Sequence, residues 1–161
     1  MPEPLAVYRN PNPRYHVDFP AVAVASNGHV LMLVRECGPW AHQATFGFGR
    51  PLTFFEAEAR MRLLRSTDGG RTWAAGEVLH QGLAFDPMLC TLADGRLMAG
   101  LIVGQAGNRL ERAALQGVLH RHLPQMHTVI TVRGIGLWTS QDHGCTWTPE
   151  REVALAGWEN L

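Results

Sequence analysis

The chain is predicted to be all-β: a partial β-propeller of two four-stranded antiparallel blades with a short helical insertion. Three observations predict this. Short apolar runs alternate with turn residues along most of the 161 residues. Pairs of those runs are joined by Asn27-Gly28 or Asp94-Gly95, the strongest short-range hairpin signals. Finally, one frame occurs twice, as STDGGRTW at 66–73 and SQDHGCTW at 140–147. The matched residues are Ser66/Ser140, Asp68/Asp142, Gly70/Gly144, Thr72/Thr146 and Trp73/Trp147. Five directional residue types repeated in one order mark a repeated structural unit.

Taken in order, FPAVAVASNGHVLMLVRE (19–36) holds two strand-like runs and a tight turn. A long irregular stretch follows, then a third run, ARMRLLRS (59–66), which enters the first frame. WAAGEVLH (73–80) is the fourth run. The plan then recurs as PMLCTLADGRLMAGLIVG (87–104), TVITVRGIGLWTS (128–140) and WTPEREVAL (147–155). One partial domain over 1–161 is expected, with blade one at about 15–80 and blade two at about 86–155. In NRLERAALQGVLHRHLP, Asn108 and Glu111 form an N-x-x-E variant of the capping box. Leu110, Ala113, Ala114 and Val118 share a face and Pro124 stops the pattern, so a helix is expected over about 108–122. Sheets of this kind need neighbours on both faces, and two blades cannot close a ring. The remainder belongs to a longer chain or to further copies of this one. The N-terminal run LAVYRN is a candidate outer strand for a closing blade.

Composition narrows the classes of partner. With 46% hydrophobic and 17% charged residues the chain is not disorder-prone. Fourteen basic residues balance fourteen acidic ones, which leaves no general electrostatic reason to bind nucleic acid or an anionic membrane. No run approaches the ~20 apolar residues that cross a bilayer, and MPEPLAVYRNPNPR lacks the apolar core of a signal peptide. Cys37, Cys90 and Cys145 have no metal-ligand spacing and read as reduced thiols, which points to the cytoplasm. His120-x-His122 with His127 invites a zinc reading, but helical positions two apart face different ways and no further ligand completes a set. No metal and no cofactor is therefore expected.

The repeated frame has a structural explanation. An Asp in a tight turn accepts bonds from nearby backbone N–H groups, Gly supplies positive φ, Ser and Thr hydroxyls tie the flanks, and Trp covers the turn. Calcium binding is the alternative, with too few oxygen ligands in view.

The same two frames resemble the Asp box, the BNR repeat of the sialidase (neuraminidase) superfamily of β-propellers. RECGPWAH (35–42) resembles the R-x-G-x-x-H-type stretch after the second strand in such proteins, and FDPMLCTLADGR (85–96) resembles their R-D-P…D-G-R segment. The similarity covers most of residues 15–150, about two of six blades. It implies a glycoside hydrolase that cleaves or binds terminal sugars of glycans, exo-α-sialidase-type. The alternative is a non-catalytic propeller that binds carbohydrate or protein. In the resembling enzymes arginines grip the sugar carboxylate, an Asp is the general acid/base, and a Tyr assisted by Glu is the nucleophile. This chain departs at telling places. Asp18 and Phe85 stand where arginines are expected, and Tyr8 and Tyr15, the two tyrosines, lie near the N-terminus. The resemblance therefore implies a protein incomplete for sialic-acid cleavage within these residues.

Strand parity locates a site independently of family. In an antiparallel blade, turns 1–2 and 3–4 lie at one end and loops 2–3 and 4–1 at the other. The second end collects 37–59, 105–127 and the connections near 15–19 and 81–86. Long loops on a rigid scaffold are where sites form. Asp18, Arg35, Glu36, His42, Glu56 and Asp86 fall there. Asp18 and Asp86 are the catalytic candidates: Asp18 is a general acid or a surface carboxylate, and Asp86 is an acid, a sugar-hydroxyl ligand or a turn carboxylate before Pro87. Arg35, Glu36, Trp40 and His42 are the substrate-binding candidates. Arg35 grips an anionic group or is a strand-end cation paired with Glu36; Trp40 is a sugar platform or an apolar lid. The aromatic stretch from Phe46 to Phe55 is a second possible sugar floor, or loop packing. The expected partners are a glycan and other copies of the chain.

Overall fold

The computed structural model describes residues 7–13, 15–37, 59–107 and 129–154. Eight strands follow one another: β1 His16–Val24, β2 Val30–Cys37, β3 Arg60–Ser66, β4 Ala74–Gln81, β5 Ala84–Thr91, β6 Leu97–Gly107, β7 Val129–Ser140 and β8 Thr148–Ala154. They form two four-stranded antiparallel sheets in chain order, β1-β2-β3-β4 and β5-β6-β7-β8. The fold is all-β, with the sequential meanders expected of propeller blades. The helix expected over 108–122 lies outside the described residues. Among the described residues no helix is long and apolar enough to cross a membrane.

The hairpin turns form for the reason the sequence offers. Gly28 and Gly95 take φ of 84° and 85°, values that cost a side chain strain and glycine none. Gly28 N–H donates to Ala25 O and Gly95 N–H to Leu92 O, each at 2.9 Å.

Both first strands begin earlier than their apolar runs. β1 starts at His16 and β5 at Ala84, so each continues through a proline, Pro20 or Pro87. The ladder tolerates this because the register slips at that point, between Asp18 and Ala21 and between Phe85 and Met88. At each slip the residue before proline is left-handed: Phe19 at φ 49° and Asp86 at φ 43°. A pre-proline residue normally sits in the extended region, and a non-glycine residue in the left-handed region costs about 1–3 kcal/mol. Asp18 and Asp86, expected in connections, thus stand inside strands at a repeated bulge.

The core lies between the sheets. Alternate residues of sheet one (Ala23, Leu31, Leu33, Met61, Leu63) meet alternate residues of sheet two (Ala84, Leu97, Ala99, Leu101, Val103), all buried. β5 lies against β1, with Thr91 Oγ1 donating to Val24 O at 2.6 Å. Trp138 stands edge-on to His80 across the sheets, ring centroids 5.7 Å apart. The segment at 7–13 is not a strand. It ties to β2 through side chains, so residues 7–10 of LAVYRN, expected as an outer strand, serve as a strap.

Candidate functional site

The two copies of the frame occupy corresponding turns, β3–β4 and β7–β8, and carry the same bonds. In the first, Ser66 Oγ donates to Asp68 Oδ1 at 2.8 Å, and Thr72 N–H and Oγ1–H donate to the same carboxylate at 2.9 and 2.6 Å. Gly70 N–H donates to Ser66 Oγ at 2.8 Å, and Trp73 Nε1–H closes the turn on Gly70 O at 2.9 Å. In the second, Asp142 receives Ser140 Oγ at 2.8 Å, Thr146 N–H at 2.8 Å and Thr146 Oγ1 at 2.6 Å. Gly144 N–H donates to Ser140 Oγ at 2.7 Å, and Trp147 Nε1–H to Gly144 O at 3.2 Å. Gly70 and Gly144 take φ of 90° and 81°.

Donors clustered on a carboxylate favour its charged form. The Thr72 hydroxyl first, then the Thr72 amide and the Ser66 hydroxyl, hold Asp68 well below the usual carboxylate range. The Thr146 hydroxyl and amide do the same for Asp142. A lowered folded-state pKa contributes stability that is present above the ordinary value near 3.8 and is lost as pH falls below it. Acid unfolding should therefore steepen below about pH 4. The Asp68→Asn, Asp142→Asn double variant should be less stable at neutral pH and show a flatter acid limb in pH-dependent circular dichroism.

The opposite end gathers most of the described candidate residues. Asp18 and Arg35 are direct cross-strand partners on β1 and β2. Glu36 follows Arg35, and Phe85 and Asp86 enter from the start of β5. The Arg35 guanidinium lies over two aromatic rings, Phe19 at 5.7 Å and Phe85 at 5.6 Å, an arrangement in which a cation meets the negative ring faces. Arg35 and Glu36 are fully buried, Asp18 is mostly buried and Asp86 is exposed. His16 Nε2 lies 3.7 Å from Asp18 Oδ2. Trp40, His42, Glu56 and the aromatic stretch 46–55 lie outside the described residues, as do His120, His122 and His127. Among the described residues no three His, Cys, Asp or Glu side chains group as a metal site.

Glu36 anchors a knot of side chains that parity did not foresee. Its Oε1 accepts Tyr8 Oη–H at 2.5 Å, Asn10 Nδ2–H at 2.8 Å and Arg62 Nε–H at 2.8 Å. Its Oε2 is buried and meets no donor among the described residues. Arg62 also donates to Gly76 O at 3.0 Å, so the knot reaches β4. Burial first, then the bond to the Glu36 carboxylate, pushes the Tyr8 phenol up to about 12. Arg60, two residues before Arg62 on β3, lies over the Tyr15 ring at 5.2 Å. The sequence signal for this knot was Arg60-x-Arg62 on β3, since Arg60 pairs directly with Glu36 in the ladder.

No family model matches the chain, and no curated protein matches it significantly. Solved structures do. A protein of unknown function from Dyadobacter fermentans DSM 18053 is 20% identical over 91% of this chain, with a TM-score of 0.64. The likeness is one of fold. The chain spans 38% of the length of that protein. The Hadza microbial sialidase Hz136 is 19% identical over 88% of this chain and 26% of its own, with a TM-score of 0.48.

Proposed function

We propose that the chain is two blades of a sialidase-like, Asp-box propeller whose glycan-binding face is the end where β1 and β5 begin. The observation that carries this reading is the repeated bulge. Phe19 and Asp86 occupy corresponding pre-proline positions, both left-handed, on the first strand of each sheet. Backbone strain of this kind clusters at binding and catalytic sites because the surrounding structure holds a side chain where an unstrained strand would not. The parity of the strands and the resemblance of both frames to the Asp box support the same face.

Within this proposal Asp86 is the group that meets ligand, accepting hydrogen bonds from sugar hydroxyls. Asp18 is the second carboxylate, seated beside Arg35. Arg35 and Glu36 act from beneath: the cation between its two rings and the carboxylate within its knot fix the strand ends that carry Asp18 and Asp86. Trp40 and His42 would add a stacking surface and a donor. Asp18 and Phe85 at the arginine positions favour recognition of a glycan over sialic-acid cleavage by these 161 residues. That departure also supports the second reading, a non-catalytic carbohydrate-binding module.

The test is saturation-transfer NMR with sialosides and neutral glycosides, alongside turnover of a fluorogenic sialoside. Binding without turnover is expected, and Asp86→Ala should weaken it about tenfold or more, the loss of one or two charge-assisted hydrogen bonds. Absence of binding to every glycan, or an Asp86→Ala variant that binds as well as the parent, would refute the assignment.

A further inference from the structure

The end that carries the two frames, opposite the proposed glycan face, holds a cluster of donors that the frames themselves do not need. Arg65 pairs with the core residue Leu31 in the ladder, next to the first frame. Its Nη1 donates to His143 O at 3.0 Å and lies 3.4 Å from His29 Nδ1. Ser26 Oγ meets His143 Nδ1 at 3.2 Å. Ser26 and His29 belong to the β1–β2 turn, Arg65 to the end of β3 and His143 to the β7–β8 turn. The cluster therefore straddles the seam between the sheets. His29, Arg65 and His143 are half-buried and Ser26 is exposed.

The internal repeat shows what the fold alone requires at these positions. The hairpin turns Ala25–His29 and Leu92–Arg96 close with the same two backbone bonds, so Ser26 corresponds to Ala93. Counting from the frame serines, Arg65 corresponds to Thr139 and His143 to Gly69. Those counterpart turns form without the Ser26 hydroxyl, the guanidinium or the imidazole. His143 is moreover left-handed at φ 58°, a conformation that Gly69 takes at 71° without strain and a histidine does not. The hydrogen bonds show what the cluster offers. His29 N–H donates to Asn27 Oδ1 at 3.0 Å, which orients the amide so that Asn27 Nδ2 faces His29 Nδ1 at 3.2 Å. Arginine and amide nitrogens only donate. His29 Nδ1 is thus the acceptor, and its Nε2–H is a donor on the other side of the ring. Among the described residues no carboxylate pairs with Arg65, and its Nε and Nη2 meet no acceptor. The carboxylates of this end are engaged elsewhere: Asp68 by Thr72, Asp142 by Thr146 and Asp94 by Arg96.

We propose that Ser26, His29, Arg65 and His143 form a binding site for a tetrahedral oxyanion, phosphate or sulfate, at the seam between the sheets. Arg65 supplies the charge, and its Nε–H and Nη2–H form the fork that meets two anion oxygens side by side. The His29 Nε2–H and the Ser26 hydroxyl, held by the His143 ring, add donors from two other chain segments. Donors arriving from three segments suit an anion whose oxygens point out of one plane better than a flat carboxylate. A bound anion ties the β1–β2 turn and β3 of sheet one to the β7–β8 turn of sheet two. Occupancy therefore stabilises the pairing of the sheets, as any ligand of the folded state alone must.

Amide NMR titrations and thermal melts of the 161-residue chain, at constant ionic strength, test this with inorganic phosphate, inorganic sulfate, glucose 6-phosphate and acetate. Phosphate and sulfate should give saturating shifts at residues 26–29 and 143–144 and raise Tm, and acetate should bind more weakly. Tighter binding of the sugar phosphate than of phosphate assigns an ester as the ligand; equal or weaker binding assigns the free ion. Arg65→Gln should weaken phosphate about tenfold or more, the loss of a charge-assisted pair. Arg96→Gln, whose guanidinium is already paired with Asp94, should bind as the parent does. His143→Gly separates binding from folding. It installs the residue that the first frame carries, keeps the carbonyl that Arg65 uses and deletes only the imidazole. That variant should melt close to the parent without anion, yet bind phosphate several-fold more weakly. If Arg65→Gln fails to fold, His143→Gly still decides. No saturating response to phosphate or sulfate, acetate binding as tight as phosphate, or a His143→Gly variant with undiminished affinity would each overturn the proposal.

Discussion

Gly144→Ala should destabilise the chain by about 3 kcal/mol, while Gly70→Ala, at the same position of the other frame, should cost about 1 kcal/mol. Both glycines are left-handed, φ 81° and 90°, so both substitutions carry the same backbone strain. Their surroundings differ. A Cβ on Gly70 would find Trp73 Cζ2 at 3.8 Å, ordinary contact. A Cβ on Gly144 would fall 2.3 Å from Leu31 Cδ2 and 3.2 Å from Leu97 Cδ1. Leu31 and Leu97 are 1% and 0% exposed, so neither has room to retreat. The second frame is thus seated on the core between the sheets and the first is not. Urea denaturation of the two variants measures the difference; equal losses would mean that the β7–β8 turn is not docked as described.

The second large effect is at Glu36. Glu36→Ala removes the acceptor that Tyr8, Asn10 and Arg62 share and takes the counter-charge from a partly buried cation, a change worth about 3 kcal/mol or more. Glu36→Gln keeps an acceptor and should lose less. The phenol supplies an independent readout. In the parent, Tyr8 should ionise near pH 12, against an ordinary 10.0. A phenol whose folded-state pKa is raised stabilises the fold fully below its unfolded value near 10, and that contribution disappears as pH rises through 12. Alkaline titration of tyrosine absorbance should therefore show a late component in the parent that moves back toward 10 in Glu36→Ala. If that component persists in the variant, Glu36 is not what holds the phenol.

Much of the fold was legible because its signals are local. Asn27-Gly28 and Asp94-Gly95 dictate tight turns wherever they occur between apolar runs, and a twice-written frame exposes the repeat. Parity then placed Asp18, Arg35, Glu36 and Asp86 at one end without reference to any contact. The start of each first strand was not legible, because the apolar runs begin only at Phe19 and Pro87 and a proline gives no sign that ladder pairing continues before it. A bulge with a strained preceding residue absorbs them, and such strain is stable only through neighbours that no short window contains. The same holds for Tyr8 and Asn10, which sit 28 and 26 residues from the carboxylate they bind. Nothing in VYRN (7–10) says that it crosses the end of β2. The burial of Arg35 likewise depends on Phe85, contributed by the other sheet.

The seating of His143 and Gly144 on sheet one has a consequence during synthesis. Ser26 Oγ meets His143 Nδ1 at 3.2 Å across 117 residues of chain, and Arg65 Nη1 donates to His143 O at 3.0 Å. A nascent polypeptide leaves the ribosome at about 5–20 residues per second, so Leu31 waits roughly 5–20 s for the turn that covers it. Throughout that interval the first meander carries a sticky, half-finished flank. The chain should depend on chaperone protection in translation far more than its modest size implies, and slowing synthesis between residues 66 and 140 should raise the aggregated fraction.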